Sequence, residues 1–238
     1  MKLVKKYEQQ VKDFLLVCQW LSDAKYATSH GGNLAYKVDE DVYLITPTRR
    51  YKNILVAEDL VFIDGKGNTL EGKRKPTGEM AMYLHFFRER PDIVSAIHCH
   101  PPYMNAFAIL KGVNWLERPV FPEMIVEAGP VPIVPYGEPI SQQLADNFLP
   151  YLKKYNTFMM ENHGLVAISP SDIIRTMHII DLLETASISI LSALAVGEIK
   201  EIPREEVEKL DRTQTTRELP RIGAPGVNPS LASLYFQD

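Results

Sequence analysis

The pattern His98-Cys99-His100-Pro101 closes an apolar run, Ile93 to Ile97, that reads as a buried strand. Side chains on a strand alternate between faces, so His98 and His100 project to one side while Cys99 points to the other. Pro101 and Pro102 stop the strand, which leaves the imidazole pair at a strand end opening into a loop, where a ligand can reach it. A third imidazole, His163, follows a second apolar run, Thr157 to Met160, and precedes Gly164, which permits a sharp turn. Three neutral imidazoles suit Zn²⁺, and a fourth position left to water or substrate marks a catalytic rather than a structural site. The expectation is one Zn²⁺ per chain on His98, His100 and His163. Glu79 supplies a carboxylate at the start of an amphipathic stretch running to Arg90, in the first turn of a helix, where it can carry a proton to and from carbon. The remaining histidines, His30, His85 and His178, read as hydrogen-bonded structural residues.

These residues sit in a larger pattern. Gly32-Asn33-Leu34, Ile45-Thr-Pro-Thr48, Thr77-Gly-Glu79, His98-Cys-His100-Pro101 and Asn162-His163-Gly164 follow one another in this order. Together they resemble the class II aldolase/adducin family, whose zinc members include fuculose-phosphate and rhamnulose-phosphate aldolases, over about residues 10 to 200. The resemblance implies that His98, His100 and His163 hold zinc, and that Glu79 is the catalytic acid/base. It implies that Asn33, Thr48, Thr77 and Gly78 bind the substrate's phosphate. Tyr136, in Pro135-Tyr-Gly137, is carried over as a general acid/base that reaches an adjacent subunit's site, and Tyr235 as a tyrosine of a C-terminal segment near the site. A homotetrameric ring with active sites at subunit boundaries is implied as well.

The chain departs from the family at the phosphate. Where the aldolases have a Thr-Gly turn and a Ser-Ser pair, this chain has Thr48-Arg49 and Thr77-Gly78. One hydroxyl is missing, Gly78 still offers a backbone N–H near a helix N-terminus, and Arg49 or Arg50 is available for a charge-assisted contact. The implied reaction is reversible cleavage of a ketose 1-phosphate to dihydroxyacetone phosphate and an aldehyde. Methylthioribulose-phosphate dehydratase, which also uses zinc and a glutamate, is the alternative on the same scaffold. The ribulose-phosphate 4-epimerase branch carries aspartate where Glu79 stands, and a non-catalytic, adducin-like assembly module has no need of the full histidine set.

Several elements must position these groups. Val11, Phe14, Leu15, Cys18 and Leu21 have helical spacing within a helix from about Val4 to Ala24. Val42 to Thr46 and Leu60 to Ile63 read as strands, and Asp64-Gly-Lys-Gly-Asn68 as a tight turn. Further helices are expected from Gly78 to Arg90, from Glu138 to Lys154 and from Ser169 to Val196, the last opened by Ser-Pro-Ser-Asp. The mixture predicts a three-layer α/β/α sandwich with a central mixed, largely antiparallel sheet over residues 1–200. Residues 201–238 are expected to form an extended arm, because Pro220, Pro225 and Pro229 with Gly223 and Gly226 preclude one regular element. Its apolar end, Leu231, Leu234, Tyr235 and Phe236, is expected to dock on the same or a neighbouring subunit.

Composition fits this reading. A chain of 238 residues, 45% hydrophobic and 24% charged, can bury a full core. A net charge of −4 and the absence of a basic cluster argue against a nucleic-acid partner. No apolar run reads as membrane-spanning and no signal peptide opens the chain, so the cytoplasm is the expected location and the partner a small sugar phosphate. Cys18 and Cys99 read as free thiols of the core.

Overall fold

A computed structural model describes residues 1–236. The chain opens with helices α1 (Lys2–Lys6) and α2 (Glu8–Asp23), then strands β1 (Asn33–Asp39), β2 (Val42–Ile45), β3 (Val61–Ile63) and β4 (Thr69–Glu71). Helix α3 (Met80–Glu89), strand β5 (Ser95–Cys99), helices α4 (Pro102–Ile109) and α5 (Pro122–Glu127), and strand β6 (Ile133–Val134) follow. The remainder comprises α6 (Gln142–Asn147), α7 (Leu149–Leu152), β7 (Thr157–Met160), β8 (Leu165–Ser169), α8 (Ile173–Leu194), α9 (Arg204–Thr216) and α10 (Ala232–Tyr235).

The strands form one sheet in the order β4-β3-β2-β1-β5-β8-β7-β6, antiparallel throughout except for the parallel pair β6 and β7. Alternation along each strand feeds two separate cores. Leu34, Tyr36, Leu44, Ile97, Cys99, Leu165 and Ala167 face the layer of α2, α4 and α8. Ala35, Ile45, Ala96, Val166 and Ile168 face α3, α6 and α7. The expected three-layer architecture and mixed sheet are therefore present, and Cys99 turns away from the histidine face into the first core, which also buries Cys18, both thiols being free.

Several boundaries differ from the sequence expectation for identifiable reasons. Ser169 still pairs with Ser95 as the last residue of β8, so the long helix begins only after Asp172, whose side chain accepts the Arg175 N–H at 2.8 Å. The segment expected as one helix from Glu138 breaks into α6, capped by Ser141, and α7, which carries Pro150 in its first turn. The C-terminal region is not an extended arm throughout: Arg204–Thr216 is helical, opened by Pro203 with Glu205 and Glu206 in the first turn, where negative charge favours a helix. The prolines that argued against helix all lie beyond it. Leu231 and Leu234 are buried with Val207 and Ile222 against Ile125 and Val126 of the same chain. Finally, α8 is by length and composition apolar enough to cross a membrane, contrary to the expectation that no apolar run reads as membrane-spanning. Its apolar positions, among them Ile173, Met177, Ile180 and Leu183, are buried in the core against the sheet and α4, which accounts for the composition.

Candidate metal centre and substrate cleft

The end of β5 sets the site. His98 pairs in register with Asn33 of β1 on one side and Val166 of β8 on the other, in the middle of the sheet. His100 lies just past the strand, its backbone N–H donating to the Tyr26 carbonyl at 2.7 Å. Asn162, in the left-handed region at φ 55°, turns the chain between β7 and β8 and presents His163. The three imidazoles each offer a nitrogen within 4.8 Å of the others, and the rings of His98 and His100 stand 4.6 Å apart between centroids.

Hydrogen bonding decides which nitrogen of His98 is free. A carbonyl oxygen can only accept, so at 2.9 Å from Leu165 O the His98 Nδ1 must carry the proton, which leaves the Nε2 lone pair directed at the cleft. That second bond is of the kind that orients metal-binding histidines. Buried Nδ1 atoms of His100 and His163 have no hydrogen-bond partner. Burial, reinforced by the neighbouring imidazoles, holds His100 down to about 3 and His163 down to about 4, so both are neutral ligands in ordinary buffers. The donor set, three imidazoles around one point with an adjacent carboxylate, therefore fits a divalent cation, and it is the set that suits zinc.

Glu79 lies at the N-terminal boundary of α3, 7% exposed, and faces two of the imidazoles. Its Oε2 is 3.8 Å from His98 Nε2 and its Oε1 is 3.9 Å from His163 Nε2. Asn33 Nδ2 donates to Oε2 at 2.6 Å, while the Tyr83 hydroxyl donates to the Asn33 carbonyl at 2.6 Å. The carboxylate is thus aimed by a buried chain of hydrogen bonds rather than left to solvent.

A cleft of about 390 Å³ opens over this group and is lined by Asn33, Thr48, Thr77 and Gly78 as well as by Glu79 and the three histidines. Pairing of the Pro47 and Pro76 segments brings the two threonine loops together: Thr48 N–H donates to Lys75 O at 3.0 Å and Thr77 N–H to Thr46 O at 2.9 Å. Arg49 also lines the cleft, whereas Arg50 is directed to Asp59 at 3.6 Å. Tyr136 and Tyr235 do not line the cleft of their own chain. Tyr136 is 54% exposed between β6 and α6. Tyr235 sits with Tyr155, Asn114 and Arg118 around a different cavity, its hydroxyl buried without a partner and its ionisation pushed far up by burial.

Sequence reasoning missed three contributors. His30, read as merely structural, lines the cleft. Lys52, a residue type that reads as surface, is buried, and its ammonium donates to the carbonyls of His30 at 3.2 Å and Arg50 at 3.3 Å, stapling the two loops at the rim. Ile140 lines the mouth at φ 72°, a conformation that a β-branched residue rarely adopts and that no local pattern announces.

Gly164 is required by close approach. A Cβ there would lie 2.7 Å from His100 Cδ2 and from the Cys99 carbonyl, and 3.0 Å from His98 Cε1. Gly164→Ala is therefore expected to push two ligands apart and weaken metal binding at least about tenfold. Gly197→Ala, whose added methyl meets nothing within 4 Å, is expected to leave it unchanged. Calorimetric titration of both apoproteins with Zn²⁺ checks this, and equal affinities would show that the ligands tolerate the methyl.

A largely antiparallel mixed sheet here brings three imidazoles and a carboxylate to one cleft, a donor set able to hold a divalent cation. The profile of the Class II Aldolase and Adducin N-terminal domain matches residues 12–188, and the chain belongs to that family. It is 30% identical over 182 residues, 76% of this chain and 83% of the other, to the 5-deoxy-D-ribulose 1-phosphate aldolase of Bacillus thuringiensis serovar kurstaki. It is 32% identical over 143 residues to the 3-oxo-tetronate 4-phosphate decarboxylase of Pectobacterium atrosepticum, a match that spans 59% of this chain and 65% of that protein. A solved L-fuculose 1-phosphate aldolase shares the fold with a TM-score of 0.77 over 89% of this chain and 97% of its own, at 24% identity.

Proposed function

We propose that this chain is a zinc-dependent aldolase that reversibly cleaves a ketose 1-phosphate to dihydroxyacetone phosphate and an aldehyde. The observation that carries the proposal is the placement of Glu79, within 3.8 Å and 3.9 Å of two of three clustered imidazoles, at the floor of a cleft. His98, His100 and His163 would hold a divalent cation, which when bound would supply Lewis acidity next to the bond that breaks. When C3–C4 breaks, its electron pair stays on C3, which must gain a proton to become dihydroxyacetone phosphate. Glu79 delivers that proton and removes it in the synthetic direction. The C4 hydroxyl loses its proton as the aldehyde carbonyl forms. Thr48, Thr77, Asn33 and the Gly78 N–H hold the phosphate, with Arg49 adding a charge-assisted contact at the rim.

As the family resemblance implies, Tyr136 would act on the C4 hydroxyl of a substrate bound in a neighbouring chain, a reading that its exposure and its absence from its own cleft support. This calls for an oligomer in which each boundary completes a site, and a homotetrameric ring is the arrangement proposed. The cytoplasm is the location this chemistry suits. Chains carrying Glu79→Gln mixed and reassembled with chains carrying Tyr136→Phe are expected to regain partial activity, since some boundaries unite an intact Glu79 with an intact Tyr136. Mixed assemblies no more active than their parents, or an active monomer in sedimentation, would return Tyr136 to a structural role.

A second reading is favoured by the relative that is a 3-oxo-tetronate 4-phosphate decarboxylase. Loss of CO₂ from the carbon next to the same carbonyl leaves an electron pair that the same carboxylate protonates, again giving dihydroxyacetone phosphate. That reaction forms no aldehyde and so needs no base to take the proton of a C4 hydroxyl. Incubation of the zinc-loaded protein with a panel of ketose 1-phosphates and with 3-oxo-tetronate 4-phosphate separates the two. Dihydroxyacetone phosphate with an aldehyde supports the aldolase, its formation with CO₂ supports the decarboxylase, and water loss without carbon–carbon cleavage overturns both in favour of a dehydratase.

A further inference from the structure

Outside the cleft, α8 carries two carboxylates that the proposed chemistry does not use, Asp181 and Glu184. Glu184 is 3% exposed and both of its oxygens are engaged: the Tyr103 N–H donates to Oε1 at 2.9 Å and the Met104 N–H to Oε2 at 2.8 Å. These N–H groups belong to the first turn of α4, where a helix has no internal acceptors for them. The capping position is Pro101, which has no side-chain acceptor, so the cap comes from a residue 80 positions beyond Met104. A buried carboxylate at that end also meets the positive pole of the helix.

Helix α4 in turn joins the two halves of the ligand set. Its N-terminus continues directly from His100 through Pro101. Near its other end the Ala108 carbonyl accepts the Asn162 N–H at 2.9 Å, and Asn162 is the residue that turns the chain into His163. Asp181, one turn before Glu184, accepts the Tyr26 hydroxyl at 2.8 Å, and the Tyr26 carbonyl accepts the His100 N–H at 2.7 Å. We infer that Glu184 is a positioning residue for the metal centre: by capping α4 from the neighbouring helix it fixes the element that follows His100 at one end and anchors the His163 turn at the other. The inference rests on the metal reading of the three histidines and extends it to a residue outside the cleft.

Glu184→Gln preserves volume but replaces one of the two acceptors with an amide N–H facing a backbone N–H. Titration of the full-length apoprotein with Co²⁺ is expected to show affinity reduced about tenfold, the lower end of what losing an outer-shell partner costs. The visible absorption of the Co²⁺-loaded protein should shift, with the apoprotein's circular dichroism unchanged. Adding Pro101→Ser supplies a local hydroxyl cap on a backbone that already suits the position, at φ −62° and ψ 128°, and is expected to restore affinity and spectrum. An E184Q protein with wild-type affinity and spectrum overturns the inference alone, since wild-type uptake leaves the metal reading standing. A loss that P101S does not restore overturns the route through α4. Should E184Q alone fail to fold, P101S/E184Q is compared with P101S: equal affinities support the local cap as a replacement and unequal ones overturn it. A wild-type protein that takes up no Co²⁺ overturns the metal reading, and this inference with it.

Discussion

Alanine at His98, His100 or His163 is expected to abolish activity and reduce bound zinc from about one per chain to near zero, while the protein stays folded. With three protein ligands to one ion, removal of any one leaves two, and the site loses the coordination that holds the cation. The cost to folding is smaller. His98 gives up one hydrogen bond, to the Leu165 carbonyl, worth about 1 kcal/mol against a domain stability of roughly 5–15 kcal/mol. Metal analysis beside circular dichroism and activity checks the prediction. Full activity in a demonstrably metal-free preparation would remove zinc from the mechanism.

Acid should reproduce part of this effect through the same residues. His100 and His163 are depressed to about 3 and about 4, below the unfolded value of about 6.5. The stability they contribute is therefore present above about pH 6.5 and lost as pH falls through the folded values, because the unfolded chain takes up protons that the folded chain refuses. Protons compete with the cation for the same nitrogens, so metal release accompanies this loss.

The histidine face was legible because strand alternation is a strict period. Once Ser95–Cys99 is a strand, His98 must share a face with Ala96, and Cys99 must enter the opposite core, as both do. Glu79 was legible as a helix-start residue, since Thr77-Gly78 precedes an apolar-periodic run. The Asp172 cap was visible in Ser-Pro-Ser-Asp, but the helix was expected to begin at Ser169, because which residue of that polar run starts the helix is set by the pairing of Ser169 with Ser95, a contact distant in sequence. Helix α9 was hidden by the prolines that follow it: averaged over the tail they outweigh the acidic first turn after Pro203. Lys52, Ile140 and Glu184 carry no local signal. Burial of Lys52 depends on carbonyls of two loops, the backbone of Ile140 on the packing of its side chain against Gly78, and the cap by Glu184 on a contact between helices far apart in sequence. Such placements are set by tertiary packing, which composition and periodicity do not encode residue by residue.

Glu79→Gln is the substitution that separates holding the metal from moving the proton. The side chain keeps its volume, and its amide oxygen can still accept the Asn33 Nδ2 hydrogen bond that the carboxylate accepts at 2.6 Å. The three imidazoles and the Leu165 contact of His98 are untouched, so zinc content should stay near the wild-type value. What is lost is a group able to take and return a proton beside His98 and His163. Removing a general acid/base costs about a hundred- to ten-thousand-fold in rate, and kcat is expected to fall within that range. The proton on the carbon of dihydroxyacetone phosphate next to the carbonyl should also stop exchanging with deuterated solvent, which nuclear magnetic resonance follows without any aldehyde present. That half-reaction makes the test independent of the unidentified aldehyde and of Tyr136. If exchange continues at the wild-type rate, Glu79 is not the proton carrier. If zinc is lost together with exchange, the carboxylate is a ligand first, and its proton-transfer role must pass to another group in the cleft.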